Sequence, residues 1–405
     1  MLRNPSTTLL LAAVLVVGAG QTVVFAIVPA LSRSIGLTEV ESSLIFTASA
    51  AAIFLTSQLW GRASDRFGRL PVVLFGLVCY GVLLAVLAYI LRVGLSGGSA
   101  SFVFVGLIAC RTLHGALTAG VLPASQAHLA DESDSKERVG GMAAVSIAFG
   151  LGSLVGPGVV ELLAPLGTLA ALWCFSFAAV GLAAILVVIS RRRERESRSP
   201  PTVGALKLTP PLVCCLVVSS GFHIAFLGTM QITGFIVQDR FHYSAAAAVS
   251  LASYAFLLIA IAMILMQALI VKFKSDQARS LVIFGALIGV AAYVTALFDF
   301  GLLGVMSASV LLGISLALVL PSVSAIASFA ASAHGAALGA IGATQALGFL
   351  VGPLLASYLY SISHSLPLIV DAAILLLCAL VAAGLPRGLQ YRSASKLPGD
   401  AQRSS

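Results

Sequence analysis

The sequence predicts an all-α membrane protein, with twelve transmembrane helices in two pseudo-symmetric six-helix bundles, and three observations lead there. Hydrophobic residues make up 59% of the 405 and charged residues only 9%, with a mean hydropathy of +1.06. A soluble globule carries about a quarter charged residues. Twelve apolar segments each approach the roughly 20 residues that cross the hydrocarbon as a helix, the form that pairs every backbone polar group internally. Finally, LGSLVGP at Leu151–Pro157 recurs as LGFLVGP at Leu347–Pro353, six of seven identical at an offset of 196. A second echo sets Gly115 and Val121-Leu122-Pro123 against Gly313 and Val319-Leu320-Pro321 at an offset of 198.

The elements follow in order. The first span, 8–30, exceeds a signal-peptide core of about 7–15 residues and lacks a small-residue cleavage site, so it reads as a helix rather than a leader. The second, 42–60, runs into the charged stretch Gly61–Arg69, and the third, 72–92, opens after Pro71, a residue suited to a first helical turn. The fourth, 101–123, holds Arg111, and the fifth, 140–163, holds the first copy of the repeated heptad. The sixth, 166–190, ends at RRRERESRSPP, Arg191–Pro201, a polar linker. The seventh to twelfth are expected at 211–237, 245–271, 280–298, 301–324, 333–359 and 366–385. The repeat therefore divides the chain into an N-terminal bundle (1–190), a linker (191–210), a C-terminal bundle (211–385) and a tail (386–405).

Charge fixes the expected orientation. Of the 23 Lys and Arg residues, nineteen fall on the side that holds both chain ends, three (Arg33, Arg92 and Arg240) on the other, and Arg111 lies within a span. Basic residues stay cytoplasmic, so both termini are expected in the cytoplasm of a cell with the protein in its inner, or plasma, membrane. The net charge of +8 is thus a topology signal, with no nucleic-acid partner implied. All six cysteines lie in apolar spans without metal-ligand spacing, so they read as core fillers, and neither metal nor cofactor is expected.

The most informative stretch is GRASDRFGR, Gly61–Arg69. Its residues Gly61, Asp65, Arg66, Gly68 and Arg69 resemble the signature between the second and third helices of the major facilitator superfamily, from which Ala63 and Leu70 depart. The resemblance implies a latch in which Asp65 accepts N–H groups at the N-terminus of the eleventh helix, shutting the cytoplasmic side of the outward-facing state. Arg66 and Arg69 are either further latch contacts or topogenic charge. LIACRTLHGA, Leu107–Ala116, resembles the family's second signature through Arg111 and Gly115, with His114 where glutamine is usual. A mid-membrane charge costs about 2.5–3.5 kcal/mol on insertion scales, so Arg111 must face protein or a water-filled cavity. GLGSLVGPG, Gly150–Gly158, resembles the antiporter signature through Gly152, Gly156 and Pro157, while Val160 and Glu161 occupy its final glycine positions. With Gly348, Gly352 and Pro353 these residues form a helix-packing seam of small residues and bends.

Further cavity or proton-coupling candidates are Gln21, His223 and Gln231, the last two on a polar stripe of the seventh span with Ser219 and Ser220, and the carboxylates Glu161 and Asp371 near outer helix ends. A histidine titrates near neutral pH and can carry a proton or bind substrate; the alternative for His114 and His223 is a packing role. If Arg111, His114 and His223 share a central cavity without an opposing carboxylate, anionic amphiphiles are preferred.

Together these features imply a monomeric secondary transporter with a twelve-helix drug/proton antiporter character, a multidrug-type efflux protein exporting a small organic molecule with protons as coupling partner. The alternative within transport is a proton-coupled or uniport importer of a metabolite or siderophore-like ligand. Outside it stand a polytopic lipid enzyme and a non-transporting sensor. The enzyme reading rests on AHLADESDSKER, Ala127–Arg138, expected as a loop; no phosphate-binding loop, zinc pattern or nucleophile elbow occurs, so no enzyme is expected.

Overall fold

The computed structural model describes residues 5–132, 138–190, 208–273, 278–298, 300–330 and 334–385. Most of the expected linker and the whole tail lie outside the described residues. Among the described residues the chain is helical throughout, with no strand. The first bundle comprises α1 (Pro5–Ser32), α2 (Glu39–Phe67), α3 (Arg69–Leu95), α4 (Ala100–Thr118), α5 (Val121–Glu132), α6 (Arg138–Leu163) and α7 (Ala170–Ser190). The second comprises α8 (Pro210–Phe241), α9 (Ala245–Phe273), α10 (Ala278–Leu297), α11 (Gly301–Ala330), α12 (His334–Ile362) and α13 (Leu366–Ala383). Twelve spans are long and apolar enough to cross a membrane, α4 and α5 together forming one. Large apolar side chains such as Phe54, Leu55, Leu162 and Phe177 stand exposed, as a lipid-facing surface requires.

Spans alternate in direction, so the molecule has a proximal end, where α1 and α8 begin, and a distal end, where they finish. Two boundaries differ from the sequence reading. The stretch Gly61–Arg69 is no hinge loop: α2 runs on through Phe67, and the chain turns at Gly68 alone, whose φ of +95° favours glycine. The fourth span is not one helix but two, broken at Ala119–Gly120. Pro123 cannot donate to the Ala119 carbonyl, and Gly120 lowers helix propensity beside it. The indole of Trp60 donates to the Ala116 carbonyl at 2.6 Å, meeting an acceptor the break leaves free. In the second bundle Leu318 stands where the repeat has Gly120, and α11 continues through Pro321 unbroken. AHLADESDSKER is correspondingly not all loop, since Ala127–Glu132 belongs to α5; residues 133–137 lie outside the described residues.

Lipid offers no hydrophobic drive between helices, so packing depends on close backbone approach. The repeated heptads provide it. A Cβ at Gly152 or Gly156 would run into backbone atoms of Leu15 and Ala19 on α1, and one at Gly348 or Gly352 into those of His223 and Ile224 on α8. The other echo does the same, with Gly115 of α4 against the Ser49 carbonyl of α2 and Gly313 of α11 against the Ile259 carbonyl of α9. Equivalent glycines thus set equivalent crossings in each bundle, and Pro157 and Pro353 each remove one backbone donor at matching points of α6 and α12.

Candidate functional site

The two bundles meet along a seam formed by α1, α2 and α6 against α8, α9 and α12. Its polar contacts concentrate in the distal half. Outermost, Arg33 follows α1 and forks between Glu39 of α2 and Asp239 of α8. Its Nη1 and Nη2 donate to Asp239 Oδ1 and Oδ2 at 2.5 and 2.9 Å, while Nε and Nη2 donate to Glu39 Oε1. The Tyr360 hydroxyl donates to Asp239 Oδ2 at 2.8 Å, His364 stacks on Tyr360, and the guanidinium lies over the Phe235 ring. A capping box of Thr38 and Glu41 holds the start of α2 beside this network.

One layer further in, Gln238 Nε2 donates to the Ala30 carbonyl at 2.7 Å and Gly234 packs on Ala30. Gln231, fully buried, donates to Ser42 Oγ at 3.2 Å, and Thr47 Oγ1 to the Leu350 carbonyl at 3.2 Å. Phe25 stacks on Phe46 of its own bundle and tilts against Phe349 of the other, closing the seam with apolar surface. Towards the edge, Tyr254 of α9 hydrogen-bonds Glu161 of α6.

Other candidates sit elsewhere than expected. Arg111 and His114 are 3% and 5% exposed, so they face the interior of the first bundle and share no open cavity with His223. Arg111 Nη1 donates to His114 Nδ1 at 3.3 Å, its guanidinium lies over the face of Phe46, and His114 packs against Tyr80. The reason is the depth of α4: its polar face meets α2 and α3, where aromatic rings stand in for a counter-ion. Arg111 Nε and His114 Nε2 find no partner among the described residues. His223 Nδ1 donates to the Ser219 carbonyl at 2.8 Å, which ties it to its own helix, and Ser219 bonds Thr344 of α12 at 2.6 Å. Gln21 is half-buried on α1, one turn before Phe25. Asp371 lies inside the second bundle, behind the seam rather than at an open mouth, 4% exposed with Thr229 Oγ1 at 3.3 Å.

At the proximal end, Asp65 pairs with Arg69 one turn on, and Arg69 also reaches Asp131 of α5 and Ser64. Arg66 lies over the Phe67 ring. A Cβ on Gly61 would meet open space, so in this conformation the residue makes no close helix contact. Arg69 therefore braces the first bundle internally here.

Sequence reasoning missed Arg33, Glu39, Asp239, Tyr360 and His364. The available signal was an arginine at the end of the first span and an aspartate at the end of the seventh, corresponding places in the repeat. Among the described residues no group of three His, Cys, Asp or Glu side chains could hold a metal ion, and the six cysteines are unpaired. The seam can thus hold two bundles together at one end, through contacts that break as a set if the bundles rock.

The family profile described as the Major Facilitator Superfamily matches residues 10–343. "Multidrug resistance protein 2" of Bacillus subtilis (strain 168) is 30% identical over 159 residues, 39% of this chain and 37% of that protein. The matched stretch thus spans under half the length of that curated relative. Among solved structures, a bacterial homologue of the human lysosomal transporter Spinster, in an inward-facing and unoccupied conformation, superposes with a TM-score of 0.70 at 13% identity, covering 94% of this chain and 96% of that one. A D-xylose–proton symporter does so with a TM-score of 0.70 at 15% identity, covering 94% and 97%. The fold is shared at that distance, and the profile spans most of the sequence. The chain therefore belongs to the major facilitator superfamily and is a multi-pass membrane transporter.

Proposed function

We propose that this protein exports a small amphiphilic organic molecule across the inner membrane by alternating access, in exchange for protons, as a monomer with both termini in the cytoplasm. The observation that carries this reading is the seam: its polar contacts lie in the distal half and are led by one cross-bundle ion pair, Arg33–Asp239. On the charge distribution the proximal end is cytoplasmic, which makes this conformation inward-facing. The latch at Asp65 is then disengaged, consistent with its pairing to Arg69 instead of to α12. The glycine and proline seam of α6, with its resemblance to the antiporter signature, and the drug-resistance name of the curated relative support export over import.

The substrate class follows from charge. Arg111 stands one ring behind the seam, over Phe46, and no carboxylate pairs with it among the described residues. A field of that sign favours anionic or carboxylate-bearing amphiphiles. Everted vesicles loaded under an imposed pH gradient test the direction: acid-interior vesicles should accumulate the substrate. Accumulation only in right-side-out vesicles would establish an importer instead. Matched anionic and cationic ligands test the charge preference, and tighter cation binding overturns it.

A further inference from the structure

Asp371 lies where a carboxylate is costly. It sits on α13 within the second bundle, 4% exposed, and the groups turned towards it come from α8 and α10: the hydroxyls of Thr229 and Tyr293. Other titratable groups on the packed elements are engaged elsewhere. On α8, Asp239 is held by Arg33 and Arg240 donates to the Ala296 carbonyl; on α12, Tyr360 donates to Asp239. On α13 itself Cys378 donates to the Val218 carbonyl. An ionised carboxylate here has neither a cation nor backbone N–H groups to offset its desolvation, whereas the neutral acid needs only one acceptor.

The hydrogen-bond count around Thr229 supplies a second observation. Its Oγ1 lies 2.9 Å from the Ala225 carbonyl, 3.0 Å from the Tyr293 hydroxyl and 3.3 Å from Asp371 Oδ2. One hydroxyl carries one proton, so it cannot serve both acceptors at once. With Asp371 ionised, Thr229 donates to the carboxylate. With Asp371 protonated, the acid donates to Thr229, whose own proton turns to the Ala225 carbonyl. Tyr293 can donate to Thr229 Oγ1 in the first arrangement. The two arrangements differ in the bond from Thr229 back to its own helix, a bond that bends helices.

A third observation is access. Beside this cluster is a cavity lined by Thr229, Thr233, Tyr293 and Ser309 among apolar side chains, with about 40 Å³ of water-sized space. That is room for two or three waters at about 10–15 Å³ each. Thr229 also precedes Gln231, Gly234, Gln238 and Asp239, the four α8 residues of the distal seam, by less than three turns.

We infer that Asp371, with Thr229 and Tyr293, is a proton-binding site within the C-terminal bundle, filled from the hydroxyl-lined cavity and coupled through α8 to the distal seam. In the binding step a proton passes from cavity water to Asp371 Oδ2, the carboxylate becomes a carboxylic acid, and no other bond changes. This rests on the proton-antiport reading for its role in transport, but not for the existence of the site.

The test uses the full chain in lipid nanodiscs, read by infrared difference spectroscopy across a pH titration, and in everted vesicles. Wild-type protein should show a protonated-carboxyl band that titrates, is absent in Asp371→Asn and persists in Glu161→Gln. Asp371→Asn vesicles should lose pH-driven accumulation at least tenfold. A titrating band that survives in Asp371→Asn overturns the site, and wild-type accumulation in that variant overturns its coupling role. If a sodium gradient, but no pH gradient, drives wild-type accumulation, the antiport reading fails while the infrared titration still decides the proton site. Should Asp371→Asn not fold, Thr229→Val carries the test: its band must titrate at a different pH from wild type, and an unchanged titration overturns the site.

Discussion

Replacing Arg33 by glutamine removes the outermost bond across the seam while leaving its length nearly intact. Of the four hydrogen bonds of Arg33, the two to Glu39 lie within the first bundle and survive any rocking of the halves; only the two to Asp239 are broken by distal opening. Their side chains are 25% and 21% exposed, between the surface pairs worth about 0.2–1 kcal/mol and charged hydrogen bonds worth about 1.5–3 kcal/mol. Fork geometry and the stacked Phe235 place this pair in the upper range, about 1.5–3 kcal/mol. At about 1.4 kcal/mol per tenfold, Arg33→Gln should raise the distal-open to distal-closed ratio roughly 10- to 100-fold. Nitroxides at Ser96 and Ser363, exposed distal sites on the two bundles, report it as a longer component in the electron-electron distance distribution of a cysteine-free background. Asp239→Asn should produce a similar change, and the double variant little more than either single one. An unchanged distribution in Arg33→Gln, or additive effects in the double variant, refutes the reasoning.

The proximal counterpart is expected to act in the opposite direction: Asp65→Asn should insert and fold yet lose most transport, and its distance distribution should stay distal-closed. Vesicle transport at wild-type rate in that variant would remove the latch. Gly152→Ala and Gly348→Ala each place a methyl on a neighbouring backbone, an overpacking cost of about 1–3 kcal/mol or more, and should lower the detergent melting temperature by similar amounts in the two bundles. Gly61→Ala, facing open space, should leave it unchanged. Trp60→Phe leaves the Ala116 carbonyl without its indole donor and should cost about 1–3 kcal/mol, read by thermal unfolding; a Gly120→Leu chain, by analogy with Leu318, should recover part of it by mending the helix.

The twelve spans and the two-fold relation were legible because they rest on features written locally: apolar runs, and a heptad whose glycines must meet a partner backbone. The α4–α5 break was also in the sequence, since Gly120 and Leu318 differ at one position of an otherwise matching echo, but its consequence depends on Trp60, sixty residues away in the chain. What could not be read was which way a polar side chain faces. Arg111, His114 and Gln231 carry the same signal, a polar residue in an apolar helix, whether they line a passage or sit behind rings. The fold buries all three: Arg111 and His114 inside the first bundle and Gln231 in the closed half of the seam. The distal network was harder still, because Arg33 and Asp239 are 206 residues apart and each alone looks like ordinary charge at a helix end.

Two latches at opposite ends of one seam make a switch only if they compete. The proximal motif has its charges satisfied within the first bundle, Asp65 by Arg69 and Arg69 by Asp131, while the distal contacts are made across bundles. Closing the proximal end would release Asp65 from Arg69 and break the Arg33–Asp239 fork, so each state gives up one ion pair as the other forms. The difference between states is then small, of the order of one ion pair, and a single protonation deep in the second bundle is of sufficient size to tip it. Because α8 carries both the Thr229 contact to Asp371 and the Asp239 contact to Arg33, the proton need not reach the seam to move it; it need only change which carbonyl or carboxylate Thr229 serves.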